Sequence, residues 1–276
     1  MIPAPFTYQR VEFVDHAIQV LTDNPDAKII AGGHSLLPLM RLRLARPAML
    51  VDITRIQDLK YIKEDDGHVA IGALTRHHDV ANSEALQQLC PILPFTASKI
   101  GDPQVRHVGT IGGSVAHADP AGDIPTVLLA LGAELVIRGL NGETRVVGAG
   151  DFFRGLFEPD LRSNEVLTEI RVPKTGRRGW SYVKFHRRAQ DWALVGVAAL
   201  AANGTAPAVA LTNMSDRPIR ATGVEEELSG GADPATAAAR AAEGTRPPSD
   251  TFASAEYRQE LVKVLVRRAL EEAMSR

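Results

Sequence analysis

The chain has 276 residues, with 31 lysines and arginines against 33 aspartates and glutamates and a formal net charge of −2. This balance gives no general reason to bind nucleic acid or an anionic membrane. The single cysteine, Cys90, excludes an intrachain disulfide, a four-cysteine iron–sulfur site and a multi-cysteine zinc site. The apolar runs are too short to span a bilayer and no signal-peptide pattern starts the chain, so we expect a cytoplasmic protein without an integral membrane segment.

The first part of the chain predicts a small α/β unit. Val14 to Leu21 has apolar residues at helical spacing, and the short strand Lys28 to Ile30 runs into the glycine loop Ala31-Gly32-Gly33-His34-Ser35. A second helix, Leu36 to Leu44, and a second strand, Met49 to Ile53, complete the unit.

The middle of the chain predicts hairpins and helices around a second glycine loop, Gly109 to Ser114. Asp65-Asp66-Gly67 and Asn141-Gly142 are hairpin turn signals. Asp123 and Pro125 open a helix that we expect the Asp123 side chain to cap. The other predicted elements are helices over Val80 to Leu89 and Ile92 to Ile100 and strands over His68 to Ile71, Ala133 to Ile137, Thr144 to Val147 and Val166 to Val172.

A polar segment, Lys174 to Gly179, is the best candidate linker. We therefore predict an α+β protein with two α+β units before this segment and a smaller C-terminal α+β domain after it. Strands in the last domain are expected over Tyr182 to Phe185, Ala193 to Leu200 and Ala208 to Thr212. Its final helix, Ala255 to Met274, is predicted to bury Tyr257, Leu261, Val264, Leu265 and Ala269.

The two glycine pairs, Gly32-Gly33 and Gly112-Gly113, are the features that point to a ligand. Glycine allows backbone N–H groups to approach a ligand and converge on one point, and hydroxyl residues lie beside both pairs. Such donors suit a diphosphate, and two loops suit a long ligand with its diphosphate at one loop and a ribityl or ring portion at the other. For either pair taken alone, we favour an ordinary tight turn over a ligand-binding loop.

Other nucleotide-binding and catalytic signatures are missing. Gly148-Ala149-Gly150 lacks the third glycine of the Rossmann fingerprint, and the chain has no P-loop motif. The eight histidines form no helical metal-binding pair, and neither Ser35 nor Cys90 has the setting of a nucleophile. We therefore predict no metal site and no catalytic side chain.

Four polar or aromatic positions near the loops are further candidates for ligand contacts, and some of them have a second interpretation. Asp119 and Asp123 suit the hydroxyls of a ribityl chain or ribose, although Asp123 also suits a helix cap. Lys184, followed by His186-Arg187-Arg188, suits a phosphate or an anionic ring, although for the two arginines we favour a solvated strand face. Trp192 suits either a stacked planar ring or the core.

The two loops and their surroundings resemble one known family. The segments that carry the resemblance are Ala31 to Pro38, Leu50 to Ile53, Gly101 to Arg106, Thr110 to Ser114 and Ala118 to Asp123. Together they look like the flavin loops of the FAD-binding medium subunits of molybdenum hydroxylases, as in aerobic carbon monoxide dehydrogenase and the flavin domain of xanthine dehydrogenase. The resemblance covers nearly the whole chain. His107 departs from the family's more usual asparagine.

This resemblance implies a vanillyl-alcohol-oxidase-type (PCMH-type) FAD-binding domain over residues 1–174, made of two α/β subdomains, about residues 1–54 and 55–174. A C-terminal α+β flavoprotein domain over residues 175–276 follows, and FAD is the cofactor. It places the first loop along the diphosphate and the second around the flavin end. The FAD-binding residues that it implies, some of them by position only, are Lys28, Ile29, Ile30, Ala31, Gly32, Gly33, His34, Ser35, Leu36, Ile100, Thr110, Ile111, Gly112, Gly113, Ser114, Asp119, Asp123, Leu167, Lys184 and Trp192.

The resemblance also implies two partners: a small subunit with two [2Fe–2S] clusters and a large molybdopterin subunit, together forming a dimer of heterotrimers. The expected activity is that of an oxidoreductase subunit passing electrons from the clusters to an external acceptor, most similar to carbon monoxide dehydrogenase. Two alternatives stay open: a self-contained FAD oxidase of a small substrate, and an assembly subunit that binds no flavin.

Overall fold

The computed structural model describes residues 2–202 and 204–276, and its first part is the predicted small α/β unit. Its central strand, β3, pairs in parallel with β1 on one side and β2 on the other. Helix α1 packs beside the sheet through Val14, Ile18 and Leu21, the apolar face expected from their spacing. The elements are β1 (Thr7–Arg10), α1 (Val14–Asp23), β2 (Ala27–Ile30), α2 (Leu36–Arg41) and β3 (Met49–Asp52).

Helix α2 ends three residues earlier than predicted, at Arg41 instead of Leu44. The reason is a left-handed turn at Arg43, whose φ is 60°, a conformation that a right-handed helix cannot contain.

A five-stranded antiparallel sheet forms the middle of the chain, with its strands in the order β4-β5-β10-β6-β7. Both predicted hairpins, around Gly67 and around Gly142, are confirmed by the pairing of β4 with β5 and of β6 with β7. The elements are β4 (Ile62–Glu64), β5 (His68–Gly72), α3 (His77–Ala81), α4 (Glu84–Leu89), α5 (Ile92–Ser98), α6 (Pro103–Val108), α7 (Ile111–His117), α8 (Asp123–Leu131), β6 (Glu134–Arg138), β7 (Thr144–Gly148), α9 (Ala149–Phe152), β8 (Phe153–Gly155), β9 (Glu158–Pro159) and β10 (Val166–Pro173), with 3₁₀ turns at Gln57–Leu59 and Leu140–Gly142.

The single helix predicted over Val80 to Leu89 was wrong, because two helices, α3 and α4, occupy that stretch. The Asn82 side chain donates to the carbonyl of His78 at 2.7 Å and ends α3. The Ser83 hydroxyl then accepts from the backbone of Leu86 at 3.3 Å and starts α4. Both are local side-chain bonds that compete with a continuous helix.

The C-terminal part is a four-stranded antiparallel meander with helices on one face. Every residue of its strand β12 is buried, because the last helix, α12, covers one face and the middle of the protein covers the other. The elements are β11 (Trp180–Phe185), β12 (Val195–Leu200), β13 (Ala208–Thr212), β14 (Ile219–Arg220), α10 (Thr222–Ser229), α11 (Pro234–Ala238) and α12 (Ala255–Ser275).

The buried face of α12 differs in part from the predicted one: at several positions the buried residue is the next one along the chain. Tyr257 and Val264 are about half exposed, whereas Val262 and Val266 are fully buried. The remaining buried positions of the helix are Arg258, Leu265, Ala269, Leu270 and Ala273. Of the five positions predicted to be buried, Leu265 and Ala269 are confirmed.

Helix α8 connects the middle of the protein to the C-terminal sheet. All nine of its residues are buried. Its apolar side chains share one core with those of the five-stranded sheet and with Tyr182, Ala198 and Ala210 of the C-terminal strands. Asp123, at the first turn of this helix, is consequently held between two sheets. Across the described residues, no helix has the length and apolar character needed to cross a membrane.

Candidate functional site

One large cavity, of about 1290 Å³, has both glycine loops in its wall. Pockets for drug-sized ligands have volumes of about 300–1,000 Å³. This cavity is larger, so it has room for a longer ligand such as a dinucleotide. Every residue that the sequence proposed for FAD binding lines the cavity, except Ile111. The Ile111 side chain is fully buried in the core and does not form part of the wall.

The first glycine loop follows β2 and precedes α2. Gly33 has φ +71°, a left-handed conformation that only glycine adopts without strain, and it turns the chain at this point. Among the residues that the structure describes, the four successive backbone N–H groups of Gly32, Gly33, His34 and Ser35 donate to no protein acceptor. Successive free N–H groups form a nest that favours an anionic oxygen.

The two glycine loops contact each other directly. A Cβ atom on Gly32 would lie 2.5 Å from the carbonyl oxygen of Val108 and 2.7 Å from Cα of Gly109. Both neighbours are backbone atoms, so neither can move aside as a flexible side chain would. Glycine is therefore required at position 32 because any side chain there would clash with the other loop. At Gly33 the reason is different, since there the backbone is left-handed.

The second glycine loop uses its own N–H groups within the protein. Thr110 caps α7, with its hydroxyl accepting from the N–H of Gly113 at 3.1 Å. The N–H groups of Ile111 and Gly112 donate at 2.9 Å to the carbonyls of Thr75 and Ala73. Gly112 and Gly113 thus lie in the first turn of helix α7 and not in a tight turn. A Cβ atom on Gly112 would lie 2.5 Å from Cβ of Ala73. Among the described residues, the free N–H groups expected of both loops are found at the first one.

Asp123 forms a buried ion pair with Lys184, at 2.8 Å between Oδ2 and Nζ. The Tyr182 hydroxyl donates to the other carboxylate oxygen at 2.5 Å. Burial raises the pKa of Asp123, and the Lys184 ammonium and the Tyr182 hydroxyl oppose that shift without cancelling it. The predicted N-cap role of Asp123 was wrong: Gly122 is the N-cap, and the carboxylate faces β11 instead of the helix N–H groups.

Asp119 and His117 line the cavity on the same side as the second loop. Burial raises the pKa of the Asp119 carboxyl and lowers the pKa of the His117 imidazole. The His117 ring lies 5.0 Å from that of Phe157. Phe157, which the sequence analysis missed, is half exposed and has φ +57°. This backbone conformation is strained for a bulky side chain. No pattern in the sequence predicts it.

His77 is a second cavity residue that the sequence analysis missed. Its ring is buried beside Gly109, and Nδ1 has no hydrogen-bond partner among the described residues. Burial, together with Arg106 and His34 nearby, lowers the pKa of His77 to about 4, so the ring is neutral at neutral pH. In the sequence it is the first of two adjacent histidines, and only the fold distinguishes it from His78.

The segment between β11 and β12 closes one side of the cavity with Gln190, Asp191 and Trp192. Trp192 is 58% exposed, which excludes the core interpretation and leaves its ring available to a planar ligand. Arg187 and Arg188 are exposed, as expected, but they lie in this segment and not on the predicted strand face, because β11 ends at Phe185.

The described part of the chain contains no group of three or more histidines, cysteines, aspartates or glutamates arranged to hold a metal. Cys90 is fully buried, and burial raises the pKa of its thiol to about 12, so it suits neither a ligand nor a nucleophile. The cavity wall offers groups suited to ligand binding: free N–H groups, a buried ion pair and aromatic rings.

Family models match almost the whole chain. Residues 4–175 match the FAD binding domain in molybdopterin dehydrogenase, and residues 180–273 match the CO dehydrogenase flavoprotein C-terminal domain. The carbon monoxide dehydrogenase medium chain of Hydrogenophaga pseudoflava is 40% identical, over 100% of this chain and 99% of that protein. The glyceraldehyde dehydrogenase medium chain of Sulfolobus acidocaldarius is 38% identical, over 99% of both chains.

The fold is similar to solved structures as well. A chain of the carbon monoxide dehydrogenase from Hydrogenophaga pseudoflava superimposes with a TM-score of 0.96, covering 100% of this chain and 99% of that one. The predicted fold class, an FAD-binding fold with a C-terminal α+β domain, is confirmed by this likeness and by the family match.

Proposed function

The chain belongs to the FAD-binding medium subunits of the molybdenum hydroxylase family, and we propose that it holds FAD so that electrons pass from the [2Fe–2S] clusters of a partner subunit to an external acceptor. It is thus an oxidoreductase subunit, similar to the medium chain of carbon monoxide dehydrogenase.

The observation that carries this proposal is the nest of four free N–H groups from Gly32 to Ser35 at the wall of a dinucleotide-sized cavity. FAD is a long ligand with a diphosphate, and the diphosphate supplies the anionic oxygens that such a nest favours.

The remaining cavity residues suit the other end of the same ligand. We propose that Asp119 and the Lys184–Asp123 pair face the ribityl and ring portion, and that Trp192 lies beside the ring. FAD, when bound, supplies the redox chemistry. The chain's own residues orient it and exclude water, and no side chain is needed as a nucleophile or a base.

The partners that we propose are those implied by the family resemblance: a small subunit that carries two [2Fe–2S] clusters and a large subunit that carries molybdopterin, with the heterotrimers paired. The composition of this chain is compatible with them, because its one cysteine is buried and an iron–sulfur cluster takes several cysteine thiolates. The matching relatives include medium chains and subunits of dehydrogenases with different substrates, which supports placing substrate selection outside this chain.

The test is reconstitution of the complex from separately prepared subunits, with and without FAD on this chain. We expect substrate to bleach the iron–sulfur clusters in both preparations, and the external acceptor to be reduced only in the FAD-loaded one. Equal acceptor reduction without FAD would contradict electron transfer through this chain. Turnover of a small substrate by the isolated FAD-loaded chain would instead establish the self-contained oxidase.

A further inference from the structure

Arg258 is the largest fully buried side chain of the described residues, with 0% of its surface exposed. Burying a guanidinium costs several kcal/mol of lost hydration, which only close partners offset. The Nε atom has no hydrogen-bond partner in the described part of the chain, so its lost hydration is not offset. Since an apolar residue would fill the same space in α12 at lower cost, its retention calls for a specific role.

The two terminal nitrogens of Arg258 connect different parts of the C-terminal domain. Nη2 forms an ion pair with Asp250 at 2.7 Å, and Nη1 donates to the carbonyl of Leu194. Although partial burial opposes it, the pKa of Asp250 is lowered by the N–H groups of Phe252 and Ala253 and by Arg258. Asp250 is thus a charged, locally fixed partner, and it orients the guanidinium toward Leu194.

Leu194 ends the cavity loop, the name we give to residues 186–194 between β11 and β12. The Asn213 amide, on the neighbouring strand end, donates to the carbonyl of Ala193 at 2.8 Å. At the other end of the loop, the guanidinium of Arg187 lies 4.5 Å from the centre of the Phe252 ring. Residues 250–258 therefore contact both ends of the loop, and the loop's middle, Gln190 to Trp192, lines the cavity.

We propose that Arg258 is a positioning residue that, braced by Asp250, fixes the cavity loop and thereby holds Trp192 at the ring end of the FAD cavity. The part that concerns FAD rests on the proposed function; the part that concerns the loop does not. Arg258 itself does not line the cavity and acts through the carbonyl of Leu194.

The first test measures the loop without any cofactor. The sequence has two tryptophans, so Trp180→Phe leaves Trp192 as the single fluorescent reporter. In that background we expect Arg258→Met to lower the fluorescence anisotropy of Trp192 and to increase its quenching by acrylamide. The matched control is Arg267→Met, on the same helix, which removes an exposed ion pair with Glu271 and should change neither. Unchanged Trp192 signals in folded Arg258→Met would overturn the proposal.

The second test measures FAD affinity by flavin fluorescence in the same variants. We expect binding to weaken about tenfold in Arg258→Met, with no change in Arg267→Met. If Arg258→Met fails to fold, Asp250→Asn decides, because it removes only the charge that braces the guanidinium; rigid Trp192 and full FAD affinity in that variant would overturn the proposal. Absence of FAD binding by the unaltered chain would refute the proposed function instead, and the anisotropy result would still stand.

Discussion

Lys184 on β11 and Asp123 at the start of α8 form a buried ion pair between a strand and a helix, and both residues line the cavity. The pair joins the C-terminal sheet to a helix of the middle part of the protein. The Lys184 ammonium also donates to the carbonyl of Lys99, at 3.3 Å, so three chain segments meet at this ammonium group. The cavity is thus lined by residues of both matched family domains.

Removing one partner of this pair should be far worse than removing both charges. Among the described residues, Lys184→Met leaves the buried Asp123 carboxylate with the Tyr182 hydroxyl as its hydrogen-bond partner. We expect a loss of about 3–5 kcal/mol in the free energy of unfolding. The double variant Lys184→Met/Asp123→Asn should recover much of that loss. Urea unfolding monitored by circular dichroism measures both. A single variant as stable as the unaltered chain would contradict the buried pair.

The contact between the glycine loops predicts a sharp difference between two glycine-to-alanine changes. Gly32→Ala places Cβ within 2.7 Å of the backbone of the other loop and should displace the nest, so FAD affinity should fall at least about 100-fold, which corresponds to about 2.8 kcal/mol. Gly150→Ala meets no atom within 4 Å and is the control. Titration of FAD into each variant checks this, and equal affinities would refute the role given to the first loop.

Because His77 is buried as a neutral ring, we expect the free energy of unfolding to decrease in acid. The pKa of His77 is lowered to about 4 in the folded protein, so as pH falls below about 6.5 the unfolded chain binds a proton that the folded chain does not. Stability should therefore decrease between pH 6.5 and about 4, with about 2 kcal/mol lost by pH 5 through this residue.

The comparison that isolates this effect uses His77→Asn, with His78→Asn as the matched control. Between pH 7 and pH 5, the decrease in the free energy of unfolding should be smaller in His77→Asn than in the unaltered chain. His78→Asn should retain the full decrease. Identical pH profiles for all three proteins would show that His77 is not buried as a neutral ring.

The buried face of α12 is tested by two adjacent residues. Leu265→Ala should cost about 2–5 kcal/mol of unfolding free energy, because Leu265 is 2% exposed in the core. Val264→Ala, at 47% exposure, should change it by less than about 0.5 kcal/mol. Chemical unfolding of the pair distinguishes them, and comparable losses would mean that the helix is rotated relative to the described face.

Local patterns predicted much of the fold. The apolar spacing of α1 and the turn residues before Gly67 and around Gly142 act over a few residues, so the sequence reveals them directly. The break at Asn82 and the rotation of α12 depend on side-chain bonds and packing that the pattern of apolar residues does not contain. Tertiary packing against β11 and β12 selected Val262 and Val266 for the buried face.

The site divides in the same way. Glycine pairs mark the two loops because close backbone approach excludes other residues, and this signal is visible in the chain. His77 and Phe157 were missed because their roles arise from burial and from a left-handed backbone, which one sequence does not display. Asp123 was assigned to the wrong partner, since the approach of Lys184 from 61 residues away has no local signature.

The most direct measurement is the visible absorption spectrum of the chain after saturation with FAD and desalting, recorded alone and with its partner subunits. We predict a retained flavin band with one FAD per isolated chain, because the four free N–H groups are proposed to hold the diphosphate. In the complex, where the iron–sulfur clusters also absorb, we predict one FAD released per chain on denaturation. An isolated chain without a flavin band, together with a complex that releases no FAD, would contradict the proposal.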